Sequence, residues 1–276
     1  MQKMLFEELK QALWGYYDTG SRNLSWRKSI TPYKVVVSEI MLQQTQVSRV
    51  EQYFAKWMRD FPSWKALAGA SRKDVLGHWQ GLGYNRRALY LHRTACIVSN
   101  QYGGRLPRES SELVALPGIG PYTSGAIRAF AFNILDIFLE TNIRTVLIHH
   151  FFEAEADQKI EEKTLLTILQ SYIEYDVRAR EDPREFYYAL MDYGAYLKKE
   201  VGNLNIKSAR YNKQSRFEGS RRQLRAGILR YILENGPVLE TKIVFQSKRT
   251  KEEVGELLRE LEKEGSVSKT KQGYKV

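Results

Sequence analysis

The sequence predicts an all-α protein that carries a small α+β module near its C-terminal end. Apolar residues recur at spacings of three and four through most of the first 200 residues, which is the period of amphipathic helices. The β-branched alternation typical of strands is nearly absent before residue 260. Short Gly, Pro or Ser breaks separate the periodic segments, as helix connections require.

Eleven helices are expected in the first 200 residues. Turn-forming strings separate several of them, such as GLG at 81–83 and GG at 103–104, because glycine adopts the positive φ that tight turns need. The expected helices span residues 3–18, 32–43, 46–60, 63–69, 72–79, 84–102, 109–115, 121–133, 141–154, 159–174 and 183–197.

The periodic pattern stops after about residue 200, where GNLNIKSARYNKQSRFEGS is polar and basic. We interpret residues 201–220 as a linker or irregular basic arm. Residues 221–276 then predict helix, helix and a short hairpin, an order typical of a winged helix-turn-helix. Such a module either docks on DNA or caps the core without touching DNA, and the many acids at 250–263 leave both readings open.

The charge balance indicates a polyanionic partner. The chain has 43 Lys and Arg against 32 Asp and Glu, a formal charge of +11, as expected of a protein that binds nucleic acid. Basic residues dominate around the arm, whereas a solvated face normally mixes signs. We therefore expect Arg221, Arg222 and Arg225 to contact DNA.

Cysteine content and hydropathy indicate the cellular compartment in which the protein works. Cys96 is the only cysteine, which excludes an intramolecular disulfide and any all-cysteine metal or iron–sulfur site within the chain. The string MQKMLFEELKQALWGYY reads as an amphipathic helix rather than a signal peptide, and no apolar run approaches the roughly 18 residues of a membrane span. We expect a cytoplasmic, DNA-associated monomer with no cofactor, metal or membrane partner.

The string LPGIGPYTSGAI at 116–127 is the sharpest local signal. Gly118 and Gly120 permit a tight turn, and the N–H groups of the helix that follows can hold a phosphate oxygen. This pattern is typical of a helix-hairpin-helix that grips the DNA backbone without reading bases. We expect Gly118, Gly120 and Thr123 to contact DNA.

A carboxylate opens the helix in FLETNIRTVL, at 138–147. Glu140 is either an acid that complements the helix dipole or a group held for chemistry. The local pattern favours the first reading, because acids are common near helix N-termini.

Four strings together resemble the helix-hairpin-helix DNA glycosylase superfamily and, within it, the MutY-type adenine glycosylases. They are TPYKVVVSEIMLQQTQV, HWQGLGYNRRALYL, LPGIGPYTSGAI and ETNIRTVL. The resemblance covers roughly residues 3–200. It implies a two-lobed helix-hairpin-helix core, with residues 21–133 as the six-helix lobe that contains the hairpin, and residues 1–20 plus 134–200 as the second lobe.

The resemblance implies excision of a mispaired base, typically adenine opposite 8-oxoguanine or guanine. Breaking an N-glycosidic bond passes through an oxocarbenium-like sugar, so a general acid and a second carboxylate are needed. Glu39 matches the family's general acid, and Glu140 its second carboxylate. Asn142 matches an asparagine that supports that carboxylate. Tyr122 stands where lyase members have lysine, which implies a monofunctional enzyme that leaves an abasic site.

The target base must leave the duplex before it can react. The resemblance assigns Leu42, Gln44 and Tyr84 to the residues that wedge into the duplex and fill the gap. Trp26 and Arg27 match the start of the base pocket.

The sequence departs from the family at four places. The four cluster cysteines that follow the GA of MDYGA (191–195) are replaced by the basic arm. The domain that reads 8-oxoguanine in longer members has no counterpart in the last 56 or so residues. Tyr188 stands where adenine-specific members place Glu or Gln, and Glu140 replaces an aspartate.

These departures leave two other functions open. One is a mismatch glycosylase for thymine or uracil opposite guanine. The other is a DNA-binding homologue that has lost turnover.

Overall fold

The computed structural model describes residues 2–152, 159–209, 211–213 and 216–276. Over these ranges it contains fifteen α-helices and one two-stranded antiparallel sheet. The predicted fold class, an all-α protein with a small C-terminal α+β part, is confirmed. In the same ranges, no helix combines the length and the apolar character that crossing a membrane requires.

The eleven expected helices are all present, with ends that shift by three residues or fewer. A further short helix at Val177–Glu181 was not expected. The twelve helices are α1 (Gln2–Gly20), α2 (Pro32–Leu42), α3 (Val47–Asp60), α4 (Trp64–Ala68), α5 (Arg72–Trp79), α6 (Arg86–Gln101), α7 (Ser110–Val114), α8 (Pro121–Phe132), α9 (Thr141–Phe151), α10 (Glu162–Tyr175), α11 (Val177–Glu181) and α12 (Pro183–Glu200).

Two expectations reach residues that the structure does not describe. The expected helix at 141–154 ends at Phe151, and its last two positions lie outside the described residues. Positions 210, 214 and 215 of the expected basic arm also lie outside them.

Side-chain caps define several helix starts. Ser63, Ser71 and Asp182 accept backbone N–H groups from the first turns of α4, α5 and α12. Ser220 and Thr250 do the same for the two helices that start at residues 221 and 251. Such caps satisfy amides that have no partner within the helix.

The C-terminal module has one helix more than the sequence predicted. It consists of α13 (Arg221–Asn235), α14 (Glu240–Ser247), α15 (Lys251–Lys263), β1 (Ser268–Thr270) and β2 (Gly273–Lys275). The strands pair with Lys269 opposite Tyr274, and Val238 exchanges both backbone hydrogen bonds with Tyr274 at 2.8 and 2.9 Å. The helix α14 was not expected because its sequence, ETKIVFQS, is short and rich in β-branched and aromatic residues.

The chain divides into two compact units. The first unit comprises Met1–Val35, Arg108–Ala115 and Ile119–Lys213, and the second comprises Val36–Pro107, Leu116–Gly118 and Gln214–Val276. The domain boundaries expected from the sequence stay a prediction.

Each unit has its own apolar core. In the first unit, buried rings of α1, α10 and α12 pack together, with Phe6 edge-on to Tyr172 and Tyr172 stacked on Phe186. In the second unit, Trp57 packs edge-on against Trp79 at 5.4 Å between ring centres. The helices packed in these cores carry most of the candidate functional residues.

Candidate active site

Glu140 is the N-cap residue of α9. Its backbone is extended, and its Oε1 atom accepts the backbone N–H of Asn142 at 2.7 Å and of Ile143 at 3.2 Å. Both readings of the sequence therefore describe the same contact, because a carboxylate that caps a helix is also a carboxylate in a fixed position.

Opposing effects act on the pKa of Glu140. Burial raises the pKa of the Glu140 carboxyl, while the amides of Asn142 and Ile143 and the charge of Arg22 oppose the rise. Because burial is the largest of these effects, the ionised carboxylate is less well solvated here than in water.

Aromatic packing links Tyr122 to the segment that leads to Glu140. Tyr122, in the first turn of α8, contacts Phe138 edge-on at 5.6 Å between ring centres. Phe138 in turn stacks on Tyr187 of α12 at 4.1 Å. Tyr122, Asn142 and Glu140 therefore belong to one packed part of the first unit.

The expected base-pocket residues also lie in the first unit. The guanidinium of Arg27 lies 4.0 Å from the centre of the Tyr188 ring, and Phe130 stacks nearly parallel to that ring at 4.7 Å. Trp26, beside Arg27, is buried. The Tyr188 ring thus packs against the guanidinium of Arg27 and the ring of Phe130, which are both groups of the protein itself.

Sequence reasoning missed Asp192, which fixes Arg27 in place. Asp192 is fully buried in α12. Its carboxylate accepts hydrogen bonds from both Nη atoms of Arg27 at 2.8 Å. It also accepts the backbone N–H and the Nε of Arg22 at 2.7 and 2.6 Å. The signal available in the sequence was an acid within the apolar face of LMDYGA.

Asn205 ties the segment after α12 to α9. Its side-chain amide donates to the Thr141 carbonyl oxygen at 3.1 Å and to Thr145 Oγ1 at 2.9 Å. The segment in which the family's cluster cysteines are missing is therefore joined to the helix that Glu140 caps. Sequence reasoning missed this residue too, because nothing local marks a buried asparagine as an anchor.

An iron–sulfur cluster does not fit the side chains present. Such a cluster needs several thiolates, and the sole cysteine, Cys96, is partly buried in α6. In the described ranges, His, Cys, Asp and Glu side chains form no group of three or more that could hold a metal ion.

In the second unit, Glu39 is a buried acid. It is 8% exposed and lies in α2 beside Val36 and Ile40, which are almost completely buried. Burying a carboxyl in such surroundings costs folding free energy unless the carboxyl has hydrogen-bonding or charged partners. Glu39 is therefore not a surface glutamate.

Leu42 ends α2, and Gln44 and Tyr84 lie on two turns of the second unit. Gln44 and Tyr84 have positive φ angles of 54° and 47°, a conformation that is uncommon for residues other than glycine. The two turns are joined by Arg87, whose Nη1 donates to the carbonyl oxygens of Ile40 and Met41 at 2.7 and 2.9 Å.

Arg87 was not singled out from the sequence. Its Nη1 also donates to the Gln43 carbonyl oxygen at 2.5 Å, and its Nη2 donates to Thr45 Oγ1 at 2.9 Å. The carbonyl oxygens of Leu82 and Gly83 complete the set at 3.2 and 3.1 Å. Burial lowers the pKa of Arg87 to about 10, so the side chain stays charged at neutral pH.

The hairpin has the local geometry that its glycines predicted. Gly118 has a φ of 80°, and a Cβ there would lie 2.9 Å from the Tyr90 Cβ. Gly120 is the N-cap of α8 and has no side chain with which to cap the amides of the first turn, where Thr123 is buried. Uncapped amides at a helix start suit an anionic ligand.

The three arginines expected to contact DNA have different partners. Arg221 pairs with Glu260 and Glu256 of α15, at 2.9 and 3.4 Å, and Arg225 pairs with Glu264. Arg222 instead donates from Nη1 to the Tyr84 hydroxyl at 2.9 Å. Their contacts with DNA stay a prediction.

The helical fold and the glycine-bounded hairpin before α8 are typical of a helix-hairpin-helix protein. Residues 37–170 match the family described as the HhH-GPD superfamily base excision DNA repair protein. This segment of the chain belongs to that superfamily.

Its curated relatives confirm the predicted similarity to adenine glycosylases. The adenine DNA glycosylase of Buchnera aphidicola subsp. Baizongia pistaciae is 36% identical over 182 residues, covering 66% of this chain and 50% of the relative. The adenine DNA glycosylase of Mycolicibacterium smegmatis is 38% identical over 151 residues, covering 53% and 52%. The chain spans about half the length of these relatives.

Solved structures share the fold. A thermostable thymine-DNA glycosylase superposes with a TM-score of 0.59 at 23% identity, covering 70% of this chain and 87% of that one. An endonuclease III trapped in a covalent intermediate with DNA gives 0.56 at 14% identity, covering 71% and 87%.

Proposed function

We propose that this protein is a monofunctional DNA glycosylase of base excision repair, which removes adenine mispaired with 8-oxoguanine or guanine. The observation that carries the proposal is the Glu140 carboxylate, anchored by two backbone amides at the start of α9. The similarity to curated adenine DNA glycosylases supports the choice of base.

The chemistry follows from the charge that develops on the sugar. As the bond between the base and C1′ breaks, the departing base takes the bonding electrons and a proton from Glu39. The sugar becomes cationic, and the Glu140 carboxylate stabilises it until water adds at C1′ and loses a proton.

The partial desolvation of the Glu140 carboxyl supports this role. A poorly solvated carboxylate gains more from a nearby cation than a hydrated one does, and the cation exists only near the transition state. The cap adds to this effect because it keeps the carboxylate in place before the reaction starts.

Tyr122 supports hydrolysis without strand cleavage. A lyase forms a Schiff base through an amine, and a phenol cannot form one. The product would be an abasic site in an intact strand.

A second candidate is a mismatch glycosylase for thymine or uracil opposite guanine. Tyr188 favours it, because a tyrosine stacked against Phe130 and Arg27 offers no amide or carboxylate to hydrogen-bond the adenine edge. The two candidates differ in the base and share the carboxylate chemistry.

The proposal also covers the partner and the setting. The substrate is duplex DNA with a mispair or lesion, and the protein acts as a cytoplasmic monomer without a metal or cofactor.

A panel of labelled duplexes tests the proposal. Purified protein is incubated with A:8-oxoguanine, A:G, T:G and U:G duplexes, with and without hot alkali, and with borohydride to trap a Schiff base. We expect scission only after alkali and only with adenine duplexes. Scission with T:G or U:G alone would select the second candidate, a borohydride adduct would contradict the monofunctional proposal, and binding without any scission would indicate a non-catalytic homologue.

A further inference from the structure

The C-terminal module contacts the loop that contains Tyr84. Arg222, at the start of α13, donates from Nη1 to the Tyr84 hydroxyl at 2.9 Å, and its guanidinium carbon lies 6.0 Å from the centre of the Tyr84 ring. Residues 138 positions apart in the sequence thus form one pair of a cation and an aromatic ring.

Backbone conformation and a side-chain hydrogen bond constrain the loop that contains Tyr84. Gly81, Gly83 and Tyr84 all have positive φ. Arg87 Nη2 donates a hydrogen bond to the Gly83 carbonyl oxygen at 3.1 Å. Tyr84 is still 37% exposed. A strained residue other than glycine that stays partly exposed on a well-anchored loop is typical of a binding site.

Two more contacts fix the module on the rest of the second unit. Arg72 Nη1 donates to the Gly265 carbonyl oxygen at 3.4 Å, and Arg93 Nη2 donates to the Glu264 carbonyl oxygen at 3.5 Å. Glu264 also pairs with Arg225 of α13. Glu264 thus links Arg93 of α6 to Arg225 of α13, and this link helps to hold the start of α13 beside the Tyr84 loop.

The charges of the module indicate which part of it can meet a polyanion. The helix α15 carries Glu256 and Glu260, which pair with Arg221, so this helix would bring carboxylates toward phosphates if it entered a DNA groove. Arg222 points instead to Tyr84. The helix that a winged helix-turn-helix normally inserts in the groove is thus poorly suited to that position here.

We propose that the module extends the DNA-binding surface through Arg222, and that Arg222 and Tyr84 bind the same stretch of duplex. Tyr84 offers a ring on which a base can stack, and Arg222 offers a guanidinium for the adjacent phosphate. The hydroxyl of Tyr84 positions that guanidinium. The proposal rests on the proposed function only for DNA as the ligand, and it requires no excision.

Binding of an undamaged duplex at several salt concentrations tests the proposal. We expect Arg222→Ala to weaken binding roughly tenfold, as the loss of one charge-assisted hydrogen bond would, and to lower the salt slope by about one phosphate contact. Arg230→Ala is the matched control, because Arg230 lies on the same helix but lines a cleft of about 340 Å³ between α13 and α14. It should change neither quantity.

Tyr84→Phe tests the pairing itself. Removing the hydroxyl should make Arg222→Ala less harmful than it is in the parent protein, since the two residues would act as a unit. Additive effects would overturn the shared contact. Unchanged or tighter binding by Arg222→Ala would overturn the proposal as a whole.

The outcomes stay distinct from those of the excision assay. A protein that excises no base but binds DNA in an Arg222-dependent way would contradict the proposed function and support this inference. An active enzyme that is indifferent to Arg222→Ala would do the reverse.

Discussion

Gly194 of α12 lies directly against the backbone of Asn142 in α9. A Cβ built on Gly194 would lie 2.2 Å from the Asn142 carbonyl oxygen and 2.8 Å from the Asn142 Cβ. The two helices therefore approach closely at the first turn of α9, whose amides hold Glu140. The position of the candidate carboxylate depends on this absence of a side chain.

Gly194→Ala should displace the first turn of α9. Overpacking of this kind typically costs about 1–3 kcal/mol of folding stability, and a shift of about 1 Å in a reacting group costs on the order of 10²-fold in rate. Thermal unfolding and single-turnover base release measure the two effects. Gly77→Ala in α5 is the control, because a Cβ there meets nothing within 4 Å; equal behaviour of the two variants would contradict the close approach.

Glu140→Gln should abolish excision and stabilise the fold at neutral pH. Burial raises the pKa of Glu140, so the ionised group opposes folding above its folded-state pKa, and this penalty vanishes below the unfolded pKa. Glutamine keeps an oxygen for the cap without the charge. Denaturant unfolding from pH 4 to 8 should show a stability gain that grows with pH.

Glu140→Ala separates the cap from the charge. It loses the acceptor as well, so it should lose about 1 kcal/mol relative to Glu140→Gln. If Glu140→Gln retained normal excision, the carboxylate would have no role in the chemistry. Glu140→Asp should keep or raise activity if aspartate can serve in the same place, and a large loss would mean that the pocket is built around glutamate.

Asp192→Ala should destabilise the first unit strongly. Asp192 is fully buried and holds both Arg22 and Arg27, and breaking a buried ion pair typically costs about 3–5 kcal/mol because a charge is left uncompensated. Chemical denaturation measures the loss. Asp18→Ala is the comparison, since its pair with Arg178 is largely exposed and such pairs contribute about 1 kcal/mol or less.

Arg87→Lys should loosen the turns that carry Gln44 and Tyr84. Lysine keeps the charge but has three donors on one atom, so it cannot reproduce the fork that serves both turns. We expect a loss of about 1.5–3 kcal/mol in stability and weaker DNA binding. Full retention of both would show that the guanidinium contacts are dispensable.

The sequence predicted the elements whose signals are local. Helix periods, hairpin glycines and the acid at the start of α9 are all visible within about ten residues, and each was found where expected. The helices α11 and α14 were missed, because α11 is a single short turn next to α12 and the sequence of α14 is rich in β-branched and aromatic residues.

The supporting contacts could not be predicted in the same way. Asp192, Asn205 and Gly194 act on partners 50 to 170 positions away, and no local pattern encodes such a pairing. Arg222 was predicted to meet DNA, but its contact with Tyr84 depends on how the module docks, which only the structure supplies.

The decisive measurement is single-turnover release of adenine from an A:8-oxoguanine duplex, made with the parent protein and with Glu39→Gln. We expect release by the parent and a loss on the order of 10²–10⁴-fold in the variant, the contribution of a positioned general acid. Duplex binding should be unchanged. Equal rates for the two proteins, or no release by the parent despite tight binding, would contradict the role of Glu39 in adenine excision.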